Sequence, residues 1–322
     1  MNDPQRMNCT YWSAAEMRLP VLKHKEVYTM AEFFLKNDEL AVKISSRGAE
    51  IRSVLDNETG REYMWQADPA FWGWTSPVLF PIVGNVAYDK FRYAGKTYEM
   101  KQHGFARRSE FEEASVEGAD IGFALCDSAD TLAVYPFKFR LEVGYALSGR
   151  TLKVIWKVFN TGDQDMYFQI GAHPAFNTPA MGSGDKKNEC YLGFDTKKTL
   201  DVSIKDLVLG GLTDEIRPYE LDDGMLKITD DLFDIDTLIV ENDQAHKLVL
   251  LDSGKAPFIT VDFTAPLFGV WSPKPEAPFV CLEPWYGRAD KTYFDGELPE
   301  RDYEQCLAAG ETFEASYSIT FS

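Results

Sequence analysis

Strict alternation of apolar and polar residues most limits how this chain can fold. In "ETFEASYSITF", near the C-terminus, Phe313, Ala315, Tyr317, Ile319 and Phe321 alternate with Thr312, Glu314, Ser316, Ser318 and Thr320. A period of two sends successive side chains to opposite faces of a strand, so one face is buried and the other meets water. The pattern recurs in "FRLEVGYAL", where Phe139, Leu141, Val143, Tyr145 and Leu147 share a face opposite Arg140 and Glu142. After the turn "SGR" it continues in "TLKVIWKVF", with Leu152, Val154, Trp156 and Val158 against Lys153 and Lys157. These two runs read as an antiparallel hairpin. "DKFRYAGKTYEM" and "HKLVLLDSGKAPFITVDF" read as two more, each with a glycine in the turn. Helical periodicity is confined to a short turn near Arg301 to Leu307.

Short strands separated by turns suggest an antiparallel sandwich or barrel. A length of 322 residues fits two average domains or one large all-β domain. No internal repeat, low-complexity tract or linker divides the patterned part. The expected organisation is an N-terminal extension over 1–30, which lacks a clear period, and a single all-β domain over 31–322.

Charge and cysteine usage narrow the function classes. Asp and Glu outnumber Lys and Arg by 51 to 33, giving a net charge of -18. Such a surface repels phosphate backbones, so nucleic acid is not an expected partner. Five scattered cysteines without a C-x-x-C pair fit reduced thiols in a cytoplasmic protein. The first twenty residues contain no apolar signal-peptide core, and no apolar run reaches the ~20 residues of a membrane span. The four histidines, His24, His103, His173 and His246, make no metal-ligand spacing with Cys or Glu, so no tight metal site is expected.

Three stretches are out of character for plain strands. In "MKQHGFARR", His103 precedes a glycine and is followed by Arg107 and Arg108; it reads either as a polar turn or as an acid–base site. In "QIGAHPAFNTP", Pro174 holds His173 extended among small and apolar neighbours. That histidine is either a satisfied, partly buried residue at a strand end or a proton donor. In "APFVCLEPWYG", an apolar strand delivers Glu283 into a proline, beside Trp285 and Tyr286. A carboxylate so placed needs a partner or a task. It is either a sheet-end residue reaching solvent or an amine, or a general base at a cavity mouth. Flat aromatics beside a carboxylate suit a sugar, with its apolar faces and hydroxylated rim.

Together, "HGFAR", "GAHPAF" and "CLEPWYG", in that order, resemble the aldose 1-epimerase (galactose mutarotase-like) family, and more closely its shorter-motif bacterial branch. "SPVLFPIVGN", "LFDIDTLIVEN" and "GVWS" are also similar to family segments, so the resemblance covers about Leu35 to Phe321. It implies a large antiparallel β-sandwich of the supersandwich type. It implies an isomerase interconverting the α and β anomers of a free aldose by acid–base ring opening and closure, with no cofactor. Glu283 would then be the base, His173 the acid on the opposite side of the sugar, and His103 a group on the ring-oxygen side. Asp236 would bind hydroxyls, and Trp271 and Trp285 would line the cleft rather than the core. Many family members carry an arginine where this chain has Asn85, which leaves Asn85 or Arg107 to contact the sugar. The expected partner is a small sugar, with the protein a monomer or homodimer.

Three other readings stay open. Lys101, Arg107 and Arg108 could form a phosphate pocket for a hexose phosphate. The sandwich could bind carbohydrate without catalysis. Glu283 and Asp236 could be the carboxylate pair of a glycosidase.

Overall fold

The computed structural model describes residues 31–178 and 186–322. The expected extension over 1–30 lies outside the described residues. Two large antiparallel sheets carry the fold. The nine-stranded sheet has the C-terminal strand Thr312–Phe321 at its centre, between Thr151–Asn160 and Pro257–Phe263. The eight-stranded sheet has Phe279–Tyr286 at its centre, between Leu267–Trp271 on one side and the short strands Ile170–Ala172 and Ala175–Asn177 on the other. A three-stranded sheet, Glu32–Lys36, Leu40–Ser45 and Glu50–Asp56, contributes Leu40, Val42 and Ile44 to the same core.

The alternation becomes burial as expected. Phe139–Ser148 pairs with Thr151–Asn160 so that Leu147 faces Leu152 and Leu141 faces Val158. The other two hairpins form between Lys90–Tyr93 and Lys96–Glu99, and between Lys247–Leu251 and Pro257–Phe263. The inner faces of the large sheets meet in one apolar core, where Phe194 packs on Phe268 and Phe313 on Tyr286 at centroid distances of 6.0 and 5.1 Å. The expected antiparallel sandwich is therefore the fold observed.

Two local readings are corrected. The helical turn anticipated near Arg301 to Leu307 is absent. A 3-10 turn occupies Leu298–Glu300 instead, and Gln305–Leu307 is a strand paired with Met166–Phe168. Pairing with a remote strand outweighs local helical tendency there. Ala129–Val134 is an α-helix that alternation does not reveal. Its signal is a capping box, in which Ser128 Oγ accepts from the Thr131 backbone N–H and Thr131 Oγ1 accepts from that of Ser128.

The central strand Phe279–Tyr286 sorts its side chains by the same period. Val280 and Leu282 enter the inter-sheet core, whereas Phe279, Cys281 and Trp285 lie in two smaller clusters on the opposite face of the sheet. Glu283 belongs to that second face. The strand does not end at Glu283, as the sequence suggested, but runs through Pro284, which pairs with Phe268, to Tyr286. Leu282→Ala should therefore leave a cavity in the main core. The expected loss is about 2–5 kcal/mol of unfolding free energy in urea, with the denaturant slope unchanged. A loss below ~0.5 kcal/mol would mean that this face is not the core.

Candidate active site

The outer face of the eight-stranded sheet holds a cavity of about 310 Å³, near the lower end of the range for small-molecule sites. Neighbouring strands supply its floor by alternation: Glu283 and Trp285 from Phe279–Tyr286, Trp271 from Leu267–Trp271, and Ile239 from Leu238–Val240. Loops supply its walls, with His173 on one side and Asn85, His103 and Arg107 among the others.

Trp285 shows how tightly the floor is built. Its indole lies between Gly269 and Gly171, where a methyl group would come within 2.4 Å and 2.6 Å of the ring. Its N–H donates to Ala172 O at 3.2 Å. This corrects one expectation: Trp285 borders the cavity but is a buried floor residue that also belongs to a core cluster, with Gly171 making room for its ring. Trp271 is the more accessible indole.

The histidine and the carboxylate meet directly. His173 Nε2 lies 3.3 Å from Glu283 Oε2, so the two groups adjoin each other rather than facing across a cleft. Glu283 is 1% exposed and His173 7%. Neither Glu283 oxygen receives a hydrogen bond from the described residues. Burial pushes the Glu283 carboxyl well above its ordinary range, and the Asp236 charge adds to the effect. Burial, assisted by the positive charge of Arg107, lowers His173 to about 3. A raised carboxyl beside a depressed imidazole favours keeping the transferable proton of the pair on the carboxyl, with the imidazole neutral. Moving that proton across the 3.3 Å contact yields carboxylate and imidazolium with no change in net charge.

Trp72 stacks on His173 at a centroid distance of 4.6 Å and an interplanar angle of 26°, while Trp271 meets the same ring edge-on at 5.6 Å. His103 stands 5.5 Å from His173 in a left-handed backbone conformation, φ 63°. Its backbone N–H donates to Gly84 O at 2.8 Å, and its Nδ1 accepts from Gly84 N at 3.1 Å. An accepting Nδ1 leaves the ring proton on Nε2. Burial, with His173 and Arg107 nearby, holds His103 well below the usual histidine range, so it is a neutral donor.

Asp236 reaches the cavity from a left-handed residue, φ 72°, and is held from two sides. Lys205 Nζ donates to one oxygen at 2.5 Å and Thr237 Oγ1 to the other at 2.9 Å. Lys205 owes its place to a bulge in the strand Leu200–Lys205, between Ser203 and Lys205. Such bulges re-aim side chains. Arg107 Nη2 donates to Gln102 O at 2.7 Å, its Nε has no partner among the described residues, and its guanidinium lies 5.0 Å from the Trp74 ring.

The eight residues singled out from sequence, Glu283, His173, His103, Asp236, Asn85, Arg107, Trp271 and Trp285, all border this one cavity. Lys101 and Arg108 do not; Lys101 is exposed and paired with Asp89. Sequence reasoning missed Trp72, Lys205, Gln102 and Thr237. It also missed Cys281, which with His173 and Glu283 places metal-ligating atoms within 4.8 Å of one another. The overlooked signal is its spacing, since Cys281 and Glu283 sit two apart on one strand face. Burial and the Glu283 charge push the Cys281 thiol up, so this donor set binds a cation only after losing protons.

The family model described as aldose 1-epimerase matches residues 32–320, and the chain belongs to this family. It is 30% identical over 295 residues to the chromosomal protein LacX of Lactococcus lactis subsp. lactis, covering 89% of this chain and 98% of that one. A galactose mutarotase related enzyme from Lactobacillus acidophilus superposes with a TM-score of 0.83 at 37% identity, over 91% of this chain and 97% of the other. A galactose mutarotase-like protein from Lactobacillus casei also gives 0.83, at 28% identity, over 91% of this chain and all of the other. Among the described residues, no helix is long and apolar enough to cross a membrane.

Gly269→Ala tests the floor. The added methyl has to displace the Trp285 ring, at a cost of about 1–3 kcal/mol in unfolding free energy. Tryptophan fluorescence should shift in the folded variant. Wild-type stability and fluorescence would contradict the packing described.

Proposed function

We propose that the protein is an aldose 1-epimerase that interconverts the α and β anomers of a free aldose in the cytoplasm, with Glu283 as base and His173 as acid. The observation that carries this reading is the buried 3.3 Å contact between His173 Nε2 and Glu283 Oε2. The two oxygens that exchange protons in mutarotation, the anomeric hydroxyl and the ring oxygen, are bonded to the same carbon. An acid and a base side by side therefore match them better than groups on opposite walls.

Sugar hydroxyls entering the cavity hydrogen-bond the unsatisfied carboxyl oxygens and favour the ionised form. The shared proton then moves to His173. Glu283 takes the proton of the anomeric hydroxyl while His173 gives its proton to the ring oxygen. The C1–O5 bond breaks and C1 becomes an aldehyde. Rotation about C1–C2 presents the other carbonyl face, and closure returns both protons. The neutral His103 donor, Asp236 and Asn85 hold hydroxyls, and Trp271 offers an apolar face.

The alternatives fit less well. Of the three cations considered for a phosphate pocket, only Arg107 borders the cavity. Asp236 is engaged by Lys205 and Thr237, so the partner of Glu283 is an imidazole rather than the second carboxylate of a glycosidase. A purely binding role leaves the unsatisfied buried carboxyl without a task.

Polarimetry on freshly dissolved aldoses tests the roles. His173→Asn and Glu283→Gln should each lower the rate by ~10²–10⁴, with sugar affinity changed much less. The double variant should lose less than the product of the two, because both groups act in one event. Wild-type turnover in His173→Asn would transfer the acid role, with His103 the first replacement.

The pH profile gives a separate check. The active pair holds one proton. It gains a second as pH falls through the depressed His173 value of about 3, and loses its only one as pH rises through the elevated Glu283 value. Activity should therefore show no step near the ordinary histidine value of ~6.5 as the pH falls from neutral to about 5. A half-loss centred near 6.5 would contradict the assigned protonation.

A further inference from the structure

We propose that His173, Glu283 and Cys281 form a binding site for a soft divalent cation, zinc foremost, and that the bound ion switches the cavity off. The binding rests on the side chains alone, whereas the inhibition rests on the mutarotase reading above. A ring nitrogen, a carboxylate oxygen and a sulfur from these residues lie within 4.8 Å of one another, and all three residues are buried.

Two adjoining strands bring the donors together. Cys281 and Glu283 are two apart in Phe279–Tyr286 and so share a face of the sheet. Ala175 pairs with Cys281, and Leu282 N donates to Pro174 O at 3.2 Å, which carries His173 alongside Glu283. The spacing suits a tetrahedral ion. Zinc bonds of about 2.0–2.1 Å to nitrogen and oxygen hold those two atoms about 3.3–3.4 Å apart. His173 Nε2 and Glu283 Oε2 already stand 3.3 Å apart. Cys281 Sγ, within 4.8 Å of a donor atom of each partner, has roughly an ångström to close to make a zinc–sulfur bond of about 2.3 Å.

A second observation points to a ligand here. Both Glu283 oxygens and His173 Nδ1 are buried and have no hydrogen-bond partner among the described residues. Buried polar atoms are ordinarily satisfied, so the carboxyl keeps uncommitted lone pairs beside the thiol. His173 and Glu283 border the main cavity, which admits the ion. Cys281 closes the site from behind, in a small cluster with Trp65, Ala175, Ala277 and Phe279.

The donor set selects the ion. Thiolate, imidazole and carboxylate are the ligand types of zinc, whereas calcium and magnesium take about six or more oxygens. Three protein donors leave the fourth position to a water from the cavity. Coordination sends two protons to solvent, one from the thiol and one from the carboxyl, while the neutral imidazole binds through its lone pair. Exchanging two protons for one dication leaves the net charge of the buried site unchanged, so the nearby Arg107 does not oppose it. The ion occupies the lone pairs with which Glu283 accepts a proton and His173 carries one. Acid and base are both lost, and sugar and zinc exclude each other.

Cobalt titration tests the binding, and polarimetry tests the consequence. Cobalt chloride added to metal-free wild-type protein should produce the near-ultraviolet charge-transfer band of a cobalt thiolate, and zinc chloride should abolish it. Cys281→Ala should lack the band, with Cys281→Ser standing in if the alanine variant does not fold. Zinc should inhibit glucose mutarotation in competition with the sugar, and EDTA should reverse it. With every protein measured against its own zinc-free rate, the zinc concentration for half-inhibition should rise at least ~10-fold in the Cys281 variant, since loss of even an outer-shell partner costs about that much. No band in wild type, or a band and an inhibition that the variants leave intact, would overturn the site. Turnover insensitive to saturating zinc would overturn the switch. If no sugar were turned over, the mutarotase reading would fall, and the cobalt spectra alone would decide the site.

Discussion

Glu283 is a carboxyl group in the middle of a central strand, 1% exposed, and neither of its oxygens accepts a hydrogen bond from the described residues. Leaving such a group unpaired costs on the order of 1–3 kcal/mol or more. Much of the surrounding structure is arranged around that position. Trp285 fills the floor beside it because two glycines admit the indole. Trp72 and Trp271 enclose His173 on the face and edge of its ring, and its imidazole lies 3.3 Å from the carboxyl. A stable protein could fill this position more cheaply with an apolar side chain of similar size. That the site keeps a buried acid against a buried base is therefore best explained by chemistry.

The sheet makes this arrangement possible through its two faces. Along Phe279–Tyr286, alternate residues enter the sandwich core or the site, so a strand at the centre of its sheet also carries Glu283. A side chain on such a strand is held far more precisely than one on a loop. His173, by contrast, comes from a loop, but one whose neighbours on both sides are paired into the same sheet: Gly171 with Trp285, and Ala175 with Cys281. His173 and Glu283 are thus positioned by one strand, and their separation depends little on the more variable loops.

Much of this was legible in the sequence because alternation and local incongruity are both local signals. The antiparallel sandwich follows from runs such as Thr312–Phe321, and Glu283 and His173 stand out as ionisable groups in apolar company. Trp72, Lys205 and Thr237 did not stand out. An aromatic loop residue, a lysine at a strand end and a threonine are ordinary in sequence, and only tertiary pairing and a bulge bring them to the site. The contact between His173 and Glu283, rather than a separation across the sugar, also depends on register between strands far apart in the chain, Ala175 pairing with Cys281, which no local pattern encodes. The helix Ala129–Val134 was missed because six residues make too short a periodic signal, although its cap is written in Ser128 and Thr131.

The most direct measurement is carbon-13 exchange spectroscopy on [1-13C]-labelled glucose and galactose at equilibrium, with the wild-type protein added in increments. The α and β anomers then exchange with no net reaction, and cross-peaks between them report the rate at the reacting carbon. The account predicts an exchange rate that rises in proportion to protein concentration for at least one aldose and returns to the spontaneous rate with Glu283→Gln. Exchange at the spontaneous rate with wild-type protein across a panel of aldoses, or undiminished catalysis by the Glu283→Gln protein, would contradict it.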